Sequence, residues 1–404
     1  MQTQLAEPIK HTAAGQEADA ILRKCTHCGF CLANCPTYRL LGDELDSPRG
    51  RIYQIKQVLE GETPTKSTQL HLDRCLTCRA CETTCPSGVE YGRLADLGRE
   101  IVEQQVPRPP TQRWLRTALR TVLPRPRLFG TLLALGRLAR PLTPGILRKK
   151  IRPRRRPGNW PGDTTQSRFV LMLEGCVQPA LEPPINPQTA RILDGLGIGV
   201  HRTPAVTCCG AIDQHLGAPD AAKAQIRANI DTWWPEIEAG AEAIVVNASG
   251  CGAQVKDYAH LLADDSDYAD KAAKVTELAV DPIELLERHA DALAPADGTP
   301  RRVAFQTPCT LQHAQKLNGR VDKLLARIGF ELTPVPDSHI CCGSAGTYSV
   351  LQPKLAEQLR TQKLDNLASG APELIATANI GCLVHLDEAS DIPVRHWLEL
   401  IQAA

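Results

Sequence analysis

Apolar positions along the first hundred residues recur at three- and four-residue steps, the spacing that gathers them on one face of a helix. Glu17–Lys24 carries Ala20, Ile21 and Leu22 on its apolar side, and Arg51–Glu60 carries Ile52, Ile55, Val58 and Leu59 before Gly61 stops it. Val89–Gln104 places Leu94, Leu97 and Ile101 on one stripe. From Val106 to Pro161 the pattern fragments, because ten prolines among fifty-six residues permit helix only in pieces, the best being Gln112–Val122 and Leu128–Arg140. Beyond Arg168, short apolar runs alternate with helical stretches. Phe169–Leu173, Ala243–Asn247, Val303–Phe305 and Leu374–Thr377 read as strands, and Thr189–Leu196 and Leu311–Ile328 as helices, the latter with Leu317, Val321, Leu324, Leu325 and Ile328 in phase. A helical N-terminal region followed by doubly wound α/β units with parallel sheets is expected.

The α/β part repeats itself. Cys176, Cys208, Cys209 and Cys251 are echoed by Cys309, Cys341, Cys342 and Cys382 at offsets of 133, 133, 133 and 131 residues, which indicates a duplication. Each of these cysteines follows a strand, and right-handed crossovers place such loops at one edge of a parallel sheet. The four cysteines of each half are therefore expected to converge. Gly210 and Gly343, beside the paired cysteines, let backbone N–H groups approach sulfur closely. The expected organisation is 1–105 helical, 106–167 a basic Pro/Arg-rich linker, 168–299 a first Cys-Cys-Gly domain and 300–404 a second.

Charge changes the picture in one place. The chain of 404 residues has a formal net charge of +1, which argues against the whole chain being a nucleic-acid binder. Val106–Pro161, however, holds fifteen Lys and Arg with no Asp or Glu, so the rest carries 1 − 15 = −14. Two readings stand for this segment. It is a solvated linker, or a basic patch for anionic lipid or an acidic partner, with Trp114, Leu115, Leu119, Leu128, Phe129, Leu132 and Leu133 supplying apolar contact. On the second reading Arg148, Lys149, Lys150, Arg152, Arg154, Arg155 and Arg156 hold the protein on the membrane. Met1–Lys10 contains Glu7 and no continuous apolar core, and the longest largely apolar run, Leu128–Leu135, is too short to span a bilayer. A cytoplasmic protein, peripheral on the inner face of the cell membrane, is the expectation.

The sharpest chemistry lies between Cys25 and Pro86, where C-x-x-C-x-x-C-x-x-x-C-P occurs twice: Cys25, Cys28, Cys31, Cys35 and Pro36, then Cys75, Cys78, Cys81, Cys85 and Pro86. Three closely spaced thiolates reach three corners of one 4Fe-4S cluster, and the fourth is displaced toward a neighbouring one. The expected ligation is crossed: Cys25, Cys28, Cys31 and Cys85 on one cluster, and Cys75, Cys78, Cys81 and Cys35 on the other. Zinc leaves the third cysteine and the paired prolines without purpose, and disulfides suit small secreted scaffolds rather than this chain.

These motifs, followed by two Cys-Cys-Gly units, resemble the iron-sulfur subunits of membrane-associated flavin dehydrogenases and the catalytic subunit of heterodisulfide reductase. The strings Leu40–Gly61, Leu72–Val89, Thr310–Gly319, Asp337–Ser349 and Thr377–Cys382 narrow the resemblance to the iron-sulfur subunits of glycolate oxidase. The resemblance implies an α/β multidomain fold with a helical two-cluster ferredoxin domain, and an oxidoreductase complex in which a flavin-binding partner, carrying FAD, oxidises glycolate to glyoxylate. This chain would pass the electrons toward a membrane quinone or another acceptor; no flavin or nicotinamide fingerprint and no catalytic residue is seen in it. Related lactate or glycerol-3-phosphate dehydrogenases, a thiol-disulfide enzyme and a structural adaptor are the alternatives. The fullest Cys-Cys-Gly pattern closes with C-x-x-C, and here Ala248 and Asn379 stand at the first of those cysteines. Four thiols per half make Cys176, Cys208, Cys209, Cys251, Cys309, Cys341, Cys342 and Cys382 candidate ligands of a further cluster, or buried reduced cysteines.

Weaker signals are assigned ordinary roles. Asn247-Ala248-Ser249 is a chance sequon, and Gly195, Gly197 and Gly199 follow a helix and so are no dinucleotide fingerprint. His27 is expected to tune the first cluster through its environment. His201, His215, His313, His339 and His385 are expected to be structural.

Overall fold

A computed structural model describes residues 1–142, 152–162, 166–206 and 208–404. The N-terminal region is helical, and its helices surround the cysteine motifs. Ala13–Lys24 is capped by Thr12, whose side chain accepts from Gly15 N, and it ends on Cys25. Pro48–Leu59 starts three residues earlier than its apolar pattern suggests, because Ser47 caps it and Pro48 occupies the first turn, where no N–H partner is needed. Together with Tyr91–Gln105 these helices bury Ile21, Leu22, Ile52, Ile55, Leu59, Leu94 and Val102 in one core. Lys66–Asp73 delivers the second motif as Ala13–Lys24 delivers the first.

The basic segment forms two helices, Pro110–Val122 and Pro126–Ala139, each opening on a proline at its first position. It is not a solvated linker. Arg108 and Arg116 pair with Asp73, Arg108 also with Glu103, and Arg120 with Asp213. Farther on, Arg152 binds Glu182 and Asp387 at 2.7 and 2.9 Å, and Arg155 binds Glu182 and Glu399 at 2.7 and 2.6 Å. The acids that receive these arginines all lie outside the segment, so part of its positive charge is spent inside the molecule. The expectation that Arg152 and Arg155 face a membrane is thereby corrected; Arg148, Lys149 and Lys150 lie outside the described residues.

Two four-stranded parallel sheets follow. The first has the order β2-β1-β3-β4, from β1 (Arg168–Met172), β2 (Ile198–Arg202), β3 (Ile244–Val245) and β4 (Ala279–Val280). The short β5 (Leu293–Pro295) leads to the second sheet, β7-β6-β8-β9, from β6 (Arg302–Gln306), β7 (Glu331–Leu332), β8 (Leu374–Thr377) and β9 (Val394–His396). The identical order is the structural counterpart of the cysteine repeat. A C-terminal β10 (Ile401–Ala403) returns to pair antiparallel with β5. One hydrophobic core runs through both halves, joining Val170, Ile192 and Ile283 to Phe305, Leu324 and Trp397.

One sequence expectation fails. Leu311–Ile328 is not a single helix: Thr310–Ala314 is a π-helical turn, Lys316 and Gly319 take φ of +59° and +72°, and the regular helix is Arg320–Arg327. The turn lets His313 bond the His339 carbonyl and Thr83 of the helical domain while Cys309 stays beside Cys341. Tertiary contacts thus override an apolar pattern that was otherwise in phase.

Candidate metal centres

The eight cysteines of the two motifs surround two adjoining cavities. The first, with about 420 Å³ of open space, is lined by Cys25, Cys28, Cys31, Cys81 and Cys85, with Arg49 and His27 at its wall. The second, about 320 Å³, is lined by Cys35, Cys75, Cys78 and Cys81, with Arg51 at its wall. Each cavity therefore gathers three cysteines of one motif and the fourth of the other, and Cys81 reaches both. Pro48 and Tyr91 also touch both cavities. The chain reversals that allow this are local: Cys35 and Cys85 are extended, and Pro36 starts a new helix directly after Cys35.

Electrostatics differ between the thiols. Burial pushes Cys31 up to about 11, and burial likewise lifts Cys78 and Cys81 well above the usual thiol range. Burial also pushes Cys75 upward, but Arg51 and Arg99, the Thr77 N–H and the Tyr91 hydroxyl outweigh it and hold Cys75 low. The Thr77 N–H donates to Cys75 Sγ at 3.4 Å and Tyr91 Oη at 3.6 Å. Neutral thiols lose their protons on binding a metal, so loading these sites releases protons.

The donor set fits an iron-sulfur cluster better than a single ion. A tetrahedral zinc site needs sulfurs about 2.3 Å from one centre. Among the described residues only Asp43, Asp46 and His71 bring three potential ligand atoms within 4.8 Å of one another, and Asp46 is already engaged by Arg51 and Arg74. The thiols ring open cavities at wider spacing, as a multi-iron group requires.

The Cys-Cys-Gly cysteines also come together, four in each half. Cys309 and Cys341 lie 3.8 Å apart, and Cys342 and Cys382 continue the row. Cys176, Cys208, Cys209 and Cys251 form the equivalent row in the first half. Hydrogen bonding to the next thiol, and burial, raise Cys176 and Cys309 well above the usual range. Gly210 N and Gly343 N each donate to the first sulfur of the pair at 3.5 Å. Gly343 has φ +90°, and a Cβ there would stand 2.6 Å from the Ala356 carbonyl oxygen, so this approach needs glycine.

The second row adjoins the helical domain through sulfur: Leu76 and Cys78 pack in one apolar cluster with Cys309, Cys341, Tyr348 and Leu359. Lys363, 2% exposed, extends to the carbonyls of Asp337 and Ser338 at 3.0 and 3.2 Å near these thiols. Asn379, at the position where the fullest Cys-Cys-Gly pattern has a cysteine, donates to Cys382 Sγ at 3.5 Å.

Histidines take structural positions. His201 pairs with Glu236, His215 with Asp96 and His385 with the Ala356 carbonyl. His339 supplies the carbonyl that His313 meets. His27, at φ +57°, sits against the Met1 sulfur at the first cavity. Asn247 is buried and bonded to Gln178, Asn186 and Thr189, which removes it from any modifying enzyme. Sequence reasoning missed Arg51, Tyr91 and Lys363. Their signal was present, since Arg51 shares a helical stripe with Ile55 and Leu59, and Lys363 one with Leu359 and Leu367.

Comparison with known proteins agrees with this anatomy. Residues 21–89 match the 4Fe-4S dicluster domain, and residues 170–256 and 303–387 match the cysteine-rich domain. The chain is 57% identical over 404 residues, 100% of its length and 99% of the relative's, to the glycolate oxidase iron-sulfur subunit of Escherichia coli (strain K12). It is 31% identical, over 90% of its length and 88% of the relative's, to the probable glycolate oxidase iron-sulfur subunit of Bacillus subtilis (strain 168). Lactate utilization protein A of an Exiguobacterium species is 26% identical over 57% of this chain and 96% of its own.

Proposed function

The chain belongs to the family of glycolate oxidase iron-sulfur subunits, and from that membership we propose that it carries electrons within a glycolate-oxidising complex. A flavin-binding partner with FAD removes two electrons from glycolate to give glyoxylate, and this subunit passes them singly toward a membrane quinone. The single observation that carries the reading is the pair of adjoining cavities, each ringed by three cysteines of one motif and the fourth of the other. In this reading Cys25, Cys28, Cys31 and Cys85 hold one 4Fe-4S cluster and Cys75, Cys78, Cys81 and Cys35 the second. Bound there, the clusters supply reversible one-electron storage. The protein's part is to hold them close together, shield them from water and set their potentials through charges and hydrogen bonds to sulfur.

The proposed division is 1–105, 106–167, 168–299 and 300–404, with the middle segment folded onto both neighbours. The relatives named for lactate utilization match little more than half of this chain, which favours glycolate as the substrate of the complex. Any iron beyond the two clusters is assigned to Cys309, Cys341, Cys342 and Cys382, because Cys309 and Cys341 pack with Cys78, which lines the second cavity. Peripheral membrane contact is assigned to the outer face of the Pro126–Ala139 helix. Leu128, Leu132, Leu135 and Leu138 are exposed there, the last to 78%, with Trp114 nearby in sequence on the preceding helix at 73%. Among the described residues, no helix is long and apolar enough to cross a membrane.

The test is anaerobic iron and acid-labile sulfide analysis, with co-purification from native membranes and substrate-dependent dye reduction. About eight irons per chain and a flavoprotein partner are expected. Zinc in place of iron, or no flavoprotein, would overturn the reading.

A further inference from the structure

The two cavities are not electrically equivalent. At the first, Arg49 is partly exposed and is chelated by Glu44, with Nε 2.6 Å from Oε1 and Nη2 3.4 Å from Oε2, so its charge is matched one to one. At the second, Arg51 is 1% exposed. Its Nε donates to the His71 carbonyl at 2.7 Å, and Nη1 to Thr37 Oγ1 at 3.1 Å, with Cys35 Sγ at 4.0 Å from the same nitrogen. Nη2 donates to Asp46 Oδ1 at 3.2 Å. Asp46 is itself fully buried and also accepts from Arg74 at 2.8 Å, so one carboxylate serves two guanidinium groups and a positive charge is left over. Arg99 lies behind the same wall, bonded to the Cys75 carbonyl at 2.6 Å and to Thr77 Oγ1 at 2.7 Å, with its own charge faced by Asp96 at 3.9 Å.

A lone helix stripe gives no reason for a buried guanidinium at position 51. Taking it out of water is costly, and Asp46 alone does not use all of its donors. What the geometry supplies is a fixed cation aimed at sulfur, in a place where Cys35, Cys78 and Cys81 are all buried. Burial by itself disfavours adding an electron to a cavity already ringed by thiolates, because the added negative charge is poorly solvated. A cation held nearby, in a low-dielectric surround, acts in the opposite sense.

We propose that Arg51, backed by Arg74 and Arg99, is the positioning residue that keeps the second, buried cluster reducible, raising its potential so that it accepts an electron from the more exposed first cluster. The step is a one-electron transfer: the first site is oxidised by one electron as the second is reduced by one. No proton transfer is needed, since the guanidinium stays charged throughout. Tyr91, donating to Cys75 Sγ, works in the same direction with a smaller effect because it carries no charge.

This inference rests on the two-cluster reading, and the experiment separates the two. The full-length protein, anaerobically purified with its clusters, is titrated with a graded reductant and followed by electron paramagnetic resonance. Arg51→Met is expected to move the midpoint of one of the two signals to more negative potential and the other by much less. Arg51→Lys should restore most of the shift, and Tyr91→Phe should shift the same signal less. Should Arg51→Met fail to fold or load, Tyr91→Phe and Arg74→Gln, which alter the same site more gently, decide the matter. Two signals whose midpoints stay fixed in Tyr91→Phe and Arg74→Gln would overturn the role of this charge network, as would an equal shift of both signals. Absence of any cluster signal in the unmodified protein would instead overturn the two-cluster reading itself.

Discussion

The two Cys-Cys-Gly halves share a sheet order and a row of four thiols, yet they meet the helical domain by different physics. The first half is tied by charges: Arg79 to Asp257 at 2.6 Å, His260 to Glu17 at 2.8 Å and His215 to Asp96 at 3.3 Å. The second half is tied by charge too, Arg39 to Asp337 at 2.8 Å, and adds apolar packing in which sulfurs of both regions take part. Behind its thiols the second half buries Lys363, where the same 133-residue offset puts Ile230 in the first half, equally buried. Next to its last thiol it has Asn379 in place of Ala248. The difference teaches that one scaffold carries two kinds of backing: the neutral Asn229 and Tyr258, bonded to the Cys208 and Cys209 carbonyls, behind the first row, and the Lys363 amine behind the second.

The most severe way to break this comparison is to make the first half imitate the second. Ile230→Lys places a cation where no pair of carbonyls has been arranged to receive it, and it should cost about 4 kcal/mol of stability, read by chemical denaturation. A variant as stable as the parent would show that both rows can house a buried amine.

A second contrast lies at the ends of β4 and β9, where Asp281 and His396 each cap the following turn and each face a glutamate three residues on. Burial drives both toward neutrality, raising Asp281 to about 7 and lowering His396 to about 4. The signs are opposite. Stability from Asp281 is complete below about 3.8 and is lost as pH rises toward 7, whereas that from His396 is complete above about 6.5 and is lost as pH falls toward 4. Asp281 contributes up to about 4 kcal/mol and His396 up to about 3 kcal/mol. The two act over one shared window, from about pH 4 to 7, with opposite slopes: Asp281→Asn should make stability rise more steeply with pH there, and His396→Gln less steeply. A curve unchanged by both would show that neither cap titrates in this range.

Lys363→Met sharpens the comparison from the other side. It leaves the Asp337 and Ser338 carbonyls without their donor, and a loss of about 2 kcal/mol is expected, with the same change at Ile230 costing less. Thermal unfolding of both variants checks the order. The smallest effect is expected at the ionic seam: Asp257→Asn should loosen the first half by about 1 kcal/mol at low salt and by less at high salt. Hydrogen exchange at the Ser249–Lys256 helix, compared with exchange around Tyr348, would register this. Equal loosening of both halves would mean that the seam does not act locally.

Much of this architecture was legible in the residues, and the limits have physical causes. Period and proline placement located the Pro110–Val122 and Pro126–Ala139 helices to within two residues, because local sterics set their starts. The cysteine offsets revealed the duplication, because each thiol row depends on loops at strand ends. The long helix over 311–328 was misread because the contacts that bend it come from Thr83 and His339, far away in sequence. The roles of Arg152 and Arg155 were misread for a related reason: composition records how many arginines there are, but not that Glu182, Asp387 and Glu399 are waiting for these two. Arg51 and Lys363 were given no role from the sequence, and only the folded chain shows what each one faces.

Pro48, Cys81 and Tyr91 each touch both cavities, so the partition between them is a single layer of side chains. A partition that thin hardly screens. An electron lodged on one side makes the other side a less welcoming place for the next, in the manner of two closely spaced plates of a capacitor. On the proposed electron-transfer reading, such a wall would favour loading the two sites one electron at a time. Thickening the partition would weaken that spacing even if every ligand were kept, so the thinness of the wall sets the rhythm of the relay.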